Sequence, residues 1–206
     1  MYLPPHFKQD DPALLLEVMR RYNFVSLVCD IGGTPFASHI PVLAEAHEGH
    51  IVIDGHMARS NPQWQAMEKG NRTMAIFHGP HTYVSPGLFK PGNRVPTWDY
   101  ISVHASGKAS VMHEATEKLS VLTKLITHHE PDFQLNFDQM PDAARDGLLK
   151  GIVAFRIKID QLEGKFKLGQ HRLPEDIPDA KQTLYNTGDE SQRDIAAWMR
   201  RLGYWE

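Results

Sequence analysis

The sequence predicts a mainly β fold with helices, an α+β barrel of six or seven strands decorated by helical segments. Stretches rich in β-branched and aromatic residues recur at meander or Greek-key spacing, separated by turn residues. Helical stretches fall between them irregularly, and the strands come in hairpins, so regular βαβ units and a doubly wound parallel sheet are disfavoured. Hydrophobic residues make up 41% of 206 positions, enough to bury a sizeable core.

Taken in order, Asp11-Pro12 reads as an N-cap with proline at the first helical position. Leu14, Leu15, Val18, Met19 and Tyr22 follow at helical spacing and predict a helix over 12–21. Residues 24–30 form a strand by composition. Gly32-Gly33 turns it into a second strand, opened by Pro35 and continued over 36–43. Residues 50–55 are a third strand. Asn61 then caps a short helix with Pro62 at its first position, and Gly70 ends it. A strand is predicted over 72–78. From Gly79 to Pro96 the concentration of proline and glycine predicts a long loop with a short extended piece at 83–85. Residues 98–106 and 108–113 read as two strands bent at Gly107. A helix over 114–130, a short helix over 142–149 and a strand over 152–159 follow. Residues 163–172 read as a basic loop. The chain closes with an amphipathic helix over 190–202 that presents Ile195, Trp198, Met199 and Leu202. The composition turns polar near 173–188. The expected organisation is therefore a barrel domain over 1–172 and a C-terminal helical appendage over 173–206.

A formal net charge of −3 argues against a surface built to neutralise a polyanion. The single cysteine, Cys29, cannot form an intrachain disulfide, which fits a reducing compartment. The first residues lack the apolar stretch of a signal peptide, and apolar runs such as 74–77 are too short to span a bilayer. These features predict a soluble cytoplasmic protein. No GxSxG, Walker A or GxGxxG string is present. The twelve histidines show no zinc-ligand spacing, so no metal site is expected.

Four segments could carry chemistry. In Gly55-His-Met-Ala-Arg-Ser-Asn-Pro-Gln-Trp64 a strand gives way to a helix, and Arg59, Ser60 and Asn61 sit at the corner. Free N–H groups, a hydroxyl and a guanidinium fork there suit a phosphate. A plain helix cap with a surface arginine explains the same residues equally well. In Val95-Pro-Thr-Trp-Asp-Tyr100, Trp98 and Tyr100 could wall a planar ring or simply be core aromatics. Lys165, Lys167 and Arg172 could neutralise a phosphate or belong to a solvated loop. Ser38 and His39, in Ser38-His-Ile-Pro41, could face a pocket or be ordinary strand residues.

Together these segments, with Met1-Tyr-Leu-Pro-Pro-His-Phe7 and Phe77-His-Gly-Pro-His-Thr-Tyr-Val-Ser-Pro86, occur in the order of one family. The sequence resembles the PaiB-like FMN-binding negative transcriptional regulators, a branch of the split-barrel flavoproteins, from Met1 to about Arg172. The resemblance implies a six-stranded split barrel that pairs into a homodimer with FMN at the subunit interface. It implies a phosphate corner at Arg59, Ser60 and Asn61, with Gln63 and Trp64 nearby. Pro96, Thr97, Trp98 and Tyr100 match the family's VPTWNY segment and are expected near the cofactor or the dimer contact. Lys165, Lys167 and Gln170 match its GKFKLSQN string. Ser38 or His39 is expected to serve the flavin's pyrimidine edge, and Trp98 its apolar wall. Two departures stand out: Gly87-Leu88-Phe89 replaces the family's Ser-Trp-Tyr, and Gly169 and His171 replace its Ser and Asn.

The resemblance thus implies an FMN-binding protein with regulatory function and modest redox activity. No residue stands out as an essential acid or base. Arg193, Arg200, Arg201 and Lys181 form a small basic patch without a helix-turn-helix, which argues against direct sequence-specific DNA contact. Haem binding or haem breakdown is the alternative that the histidine count leaves open, with His171 a candidate.

Overall fold

The computed structural model describes residues 1–89, 95–170 and 177–204, with the side chains of 134, 135 and 177–179 left aside. The elements are β1 (Lys8–Gln9), α1 (Pro12–Arg21), β2 (Phe24–Ile31), β3 (Thr34–His47), β4 (His50–Ala58), α2 (Gln63–Glu68) and β5 (Thr73–Val84). They continue with β6 (Thr97–Met112), α3 (Ala115–His129), α4 (Gln134–Asp138), α5 (Asp142–Lys150), β7 (Ile152–Lys167), α6 (Ile177–Tyr185) and α7 (Glu190–Arg201). Seven strands pair in the order β1-β7-β4-β3-β2-β5-β6, and a β6–β7 pairing closes that order on itself. The β1–β7, β2–β3, β2–β5, β3–β4 and β4–β7 pairs are all antiparallel. The predicted α+β class is the one observed: six long strands, a two-residue β1, and helices between them.

The chain divides into two compact units. One comprises Pro12–Phe77 and His104–Leu162. Its sheet contains the β2–β3 hairpin, where Gly32 and Gly33 at φ +64° and +86° make the turn that residues with a Cβ resist. Its core gathers Leu15, Val18 and Met19 of α1 with Leu27, Val42, Ile53, Met67, Phe77 and Phe155. Leu43, Val121, Leu125 and Ala154 form a second cluster, with Met112 against it. Asp54 lies in β4 at 1% exposure, with Arg156 donating to it at 2.6 and 2.7 Å and Lys124 at 3.3 Å.

The other unit comprises Met1–Asp11, His78–Val103 and the chain from Glu163 onward. Here β1 pairs with the end of β7, Lys8 opposite Lys165 and Gln9 opposite Gly164. Helix α7 buries Ile195, Trp198 and Met199, as its amphipathic pattern predicts, and Trp198 meets Phe166 edge-on at 5.8 Å. Asp189 caps α7 by accepting from the Gln192 N–H at 2.8 Å. Helix α6 lies where only a polar composition is visible in the sequence.

Four local expectations change. β5 runs on to Val84, so the predicted loop begins at Ser85 rather than Gly79. β6 is one continuous strand, and Gly107 is no bend. A Cβ at Gly107 would lie 2.0 Å from the Lys158 carbonyl oxygen, so glycine permits a close approach of backbones. The predicted basic loop is strand as far as Lys167. Its alternation puts Lys165 and Lys167 on one face and Phe166 on the other. Finally, α2 starts at Gln63 rather than Pro62. Asn61 accepts from the Gln63 N–H at 3.0 Å in an Asx turn just before the helix.

Candidate functional site

The predicted site residues divide between the two units. Ser38, His39, Arg59, Ser60, Asn61, Gln63 and Trp64 belong to the unit that holds β2, β3 and β4. Pro96, Thr97, Trp98, Tyr100, Lys165, Lys167 and Gln170 belong to the other.

The first set forms a corner where β4 ends. Arg59 is exposed, and its guanidinium is aimed by the α5–β7 junction. Nε donates to the Lys150 carbonyl at 3.0 Å, and one terminal nitrogen reaches the Ile152 carbonyl at 3.5 Å. Its backbone N–H donates to the Gly151 carbonyl at 2.9 Å, and its own carbonyl accepts from the Trp64 indole at 2.9 Å. Asn61 is held from both sides: its N–H donates to the Ala58 carbonyl and its side-chain amide donates to Ser38 Oγ at 2.7 Å. Gln63 is fully buried and donates to the Leu27 carbonyl at 2.7 Å, so it anchors the turn from within. Ser60 is exposed, and no described residue bonds its hydroxyl. His39 is exposed on β3, 3.1 Å from Ser26 Oγ.

Donors at this corner differ from those the sequence suggested. The N–H groups of Asn61, Gln63 and Gln65 are all used within the turn. Helix α2 has only six residues, too short for a strong dipole. Arg59 and Ser60 are both exposed at this corner. A further cation, invisible to sequence reading, is close enough to Arg59 for their charges to interact. Lys118 of α3 is 4% exposed and donates to the Leu149 carbonyl at 3.0 Å. Burial, and then the positive charge of Arg59, push its pKa below the usual lysine range, against a smaller upward pull from Glu114. The exposed guanidinium and hydroxyl suit a phosphate, and the Lys118 charge adds to the positive field around Arg59. The only sequence signal for Lys118 is a lysine on a predicted amphipathic helix, which is usually surface. Cys29 is buried, and burial raises its thiol pKa, leaving it unreactive.

Five of the second set line an open cleft of about 480 Å³. Thr97, Trp98 and Tyr100 come from β6, Lys165 and Lys167 from β7, and Tyr2, Pro4, His6 and Phe7 from the N-terminal segment. Lys167 donates to Thr97 Oγ1 and the Trp98 carbonyl and lies 3.5 Å from Asp99. Lys165 donates to the Tyr2 carbonyl at 3.1 Å. Trp98 is 52% exposed and meets Tyr83 and His81 at ring separations of 6.1 Å. Pro96 is exposed and enters β6. Gln170 folds back on its own backbone, accepting from the Leu168 N–H at 2.8 Å and donating to the Phe166 carbonyl at 2.5 Å. It therefore closes the end of β7 and does not line the cleft. Gly169 has φ +74°, a conformation that favours glycine. Phe89 is buried, which suits the apolar replacement noted above. His171 and Arg172 lie outside the described residues.

Comparison with known proteins bears directly on this geometry. The sequence model of a family described as "Putative FMN-binding domain" matches residues 1–161. The chain is 31% identical over 201 residues to the "Protease synthase and sporulation protein PAI 2" of Bacillus subtilis, covering 97% of this chain and 96% of that protein. The chain belongs to the PaiB-like FMN-binding family. Solved structures agree on the fold of this family member. An FAD and heme binding protein from Mycobacterium smegmatis superposes with a TM-score of 0.62 at 15% identity, covering 93% of this chain and 80% of that one. The flavocytochrome Anf3 from Azotobacter vinelandii gives 0.58 at 13% identity, covering 91% and 74%. The PaiB-like chain thus has the split-barrel fold, and FMN is the cofactor of its family. Among its described residues no helix is long and apolar enough to cross a membrane.

Proposed function

We propose that this chain binds FMN with the phosphate at the corner after β4, and that it acts as a homodimeric regulatory flavoprotein with modest redox activity. The observation that carries this reading is the exposed Arg59 guanidinium, held by its Nε on the Lys150 carbonyl, next in sequence to the exposed Ser60 hydroxyl at the end of β4. Arg59 would accept the phosphate on its outward edge while its Nε stays on the Lys150 carbonyl. Ser60 would donate one more hydrogen bond. Asn61, Ser38, Gln63 and Trp64 hold the turn that aims both groups. FMN, when bound, supplies reversible electron acceptance in its ring; the chain supplies binding and orientation.

Support for the homodimer comes from large apolar side chains left exposed on each unit, with Phe24 at 62% and Trp98 at 52%. The regulatory role rests on likeness to the sporulation protein of Bacillus subtilis. It is expected to act without direct DNA contact. Arg193 is spent on the carbonyls of Thr187 and Gly188, Arg200 lies 4.2 Å over the Tyr185 ring and Arg201 lies 5.0 Å over Trp198.

Parallel titrations with FMN and riboflavin test the phosphate assignment. FMN is expected to bind at least about tenfold more tightly, the scale of charge-assisted contacts. Equal affinities would overturn the assignment. Light scattering at micromolar protein should give twice the chain mass; a monomer with FMN still bound would overturn the dimer. A gel shift on promoter DNA abolished by Arg200→Glu with Arg201→Glu would overturn the view that DNA contact is indirect.

A further inference from the structure

Three elements of the unit that holds β2, β3 and β4 meet around a cavity of about 430 Å³: the end of α1, the second half of β3 and the last turns of α3. The ion pairs beside it leave one cation over. Lys124 of α3 donates to Glu45 at 2.5 Å and to Asp54 at 3.3 Å. Arg156 donates to both oxygens of Asp54. Two carboxylates therefore face two cations, and that set is neutral. Arg20 of α1 stands outside it. Its Nε donates to the Ala44 carbonyl at 3.2 Å, which ties the guanidinium to the lining of the cavity. Among the described residues no carboxylate pairs with Arg20, and no acceptor takes its two terminal nitrogens. With Nε committed, the edge that remains is the one that makes two parallel hydrogen bonds.

The charge count says which anion fits. The unmatched charge of Arg20 is a single positive one, and Glu45 adds a carboxylate to the same lining. A phosphate monoester would bring a second negative charge towards Glu45 while Lys124 and Arg156 are already engaged. A carboxylate brings one charge, and its two oxygens match the guanidinium fork. The rest of the lining suits a short tail. Leu43 and Ala44 supply an apolar floor, and Thr123 and Thr127 stand one turn apart on α3, with His128 beside them. The volume is that of a small-molecule site. We infer that this cavity binds a short aliphatic monocarboxylate, held by the Arg20 fork over the floor of Leu43 and Ala44. It shares no residue with the corner after β4 or with the cleft of the other unit, so it stands whether or not FMN binds there.

Ligand-observed NMR titration of the flavin-free protein with butanoate tests this, with butanamide as the uncharged counterpart and butyl phosphate as the dianionic one. It is run at about pH 8, where free imidazole is neutral and a phosphate monoester carries two charges. Butanoate should bind saturably, and each counterpart at least about tenfold more weakly. Arg20→Gln should weaken butanoate by about tenfold or more. Thr127→Phe should do the same by filling the cavity while Arg20 is intact. Both positions are exposed, and near-ultraviolet circular dichroism checks that each variant folds. FMN affinity should be unchanged by Arg20→Gln. The assignment is overturned if butanoate shows no saturation at tens of millimolar, if butanamide or butyl phosphate binds as well, or if either folded variant keeps full affinity. It is also overturned if Arg20→Gln weakens FMN and butanoate alike, since Arg20 would then serve the cofactor or the fold.

Discussion

Replacing Arg59 by alanine isolates the phosphate contact. The Nε–H is committed to the Lys150 carbonyl at 3.0 Å, and the terminal nitrogen on Ile152 is at 3.5 Å, near the limit of a hydrogen bond. The outer edge of the fork can therefore make two parallel bonds to phosphate oxygens. Such charge-assisted bonds are worth about 1.5–3 kcal/mol each when buried. Arg59 is exposed, so solvent and salt screen them, and a combined loss of about 2 kcal/mol is expected, or about 30-fold in the dissociation constant. Arg59→Lys keeps the charge and loses the fork, so it should recover only part of this. The assay is quenching of flavin fluorescence at fixed ionic strength, run with FMN and with riboflavin. Riboflavin lacks the phosphate, so its affinity should be insensitive to the substitution. If Arg59→Ala leaves FMN affinity within about twofold, the phosphate sits elsewhere. If it weakens riboflavin as much as FMN, Arg59 acts by shaping the turn and the electrostatic argument fails.

Three further outcomes are expected. Gly107→Ala forces a methyl to within 2.0 Å of the Lys158 carbonyl oxygen, and because backbone cannot yield like a flexible side chain, it should cost about 2 kcal/mol or more in urea unfolding. Asp54→Asn removes the buried partner of Arg156 and Lys124. These cations are themselves 38% and 36% exposed and can rehydrate, so the loss should be about 2 kcal/mol, below the range for fully buried pairs. Burial pushes the His56 imidazole below its ordinary 6.5, so the unfolded chain takes up the proton more readily than the folded one. Its contribution should be whole above pH 6.5 and fall away as pH drops through the lowered value. The urea midpoint of His56→Gln should accordingly decline less over that acid range than the parent's.

Helix α1 and helix α7 were legible because their apolar spacing, and Pro12 at the first position of α1, are local signals that survive packing. The β2–β3 hairpin was legible because Gly32-Gly33 meets a backbone requirement within four residues. Strand ends were not. Residues 163–167 look like a basic loop in isolation, yet Gly164 and Lys165 are strand because β1 supplies partners from the far end of the chain. Gly107 reads as a break until the Lys158 backbone is seen against it. Gln63 sits near the corner in the sequence, and only the fold shows that it is buried with its amide on the Leu27 carbonyl.

Sequence alone determined the family and the strand-rich class, and it put Arg59 and Ser60 at a strand-to-helix turn, because ordered motifs and short-range periodicity are written in consecutive residues. Tertiary structure alone decided that Lys118 joins Arg59, that Arg59 is aimed by the carbonyls of Lys150 and Ile152, and that Lys165 is a buried cation among aromatic rings. Each of these depends on groups brought together across long stretches of chain. Burial and electrostatic coupling depend on distances in space, which no local pattern of residues encodes.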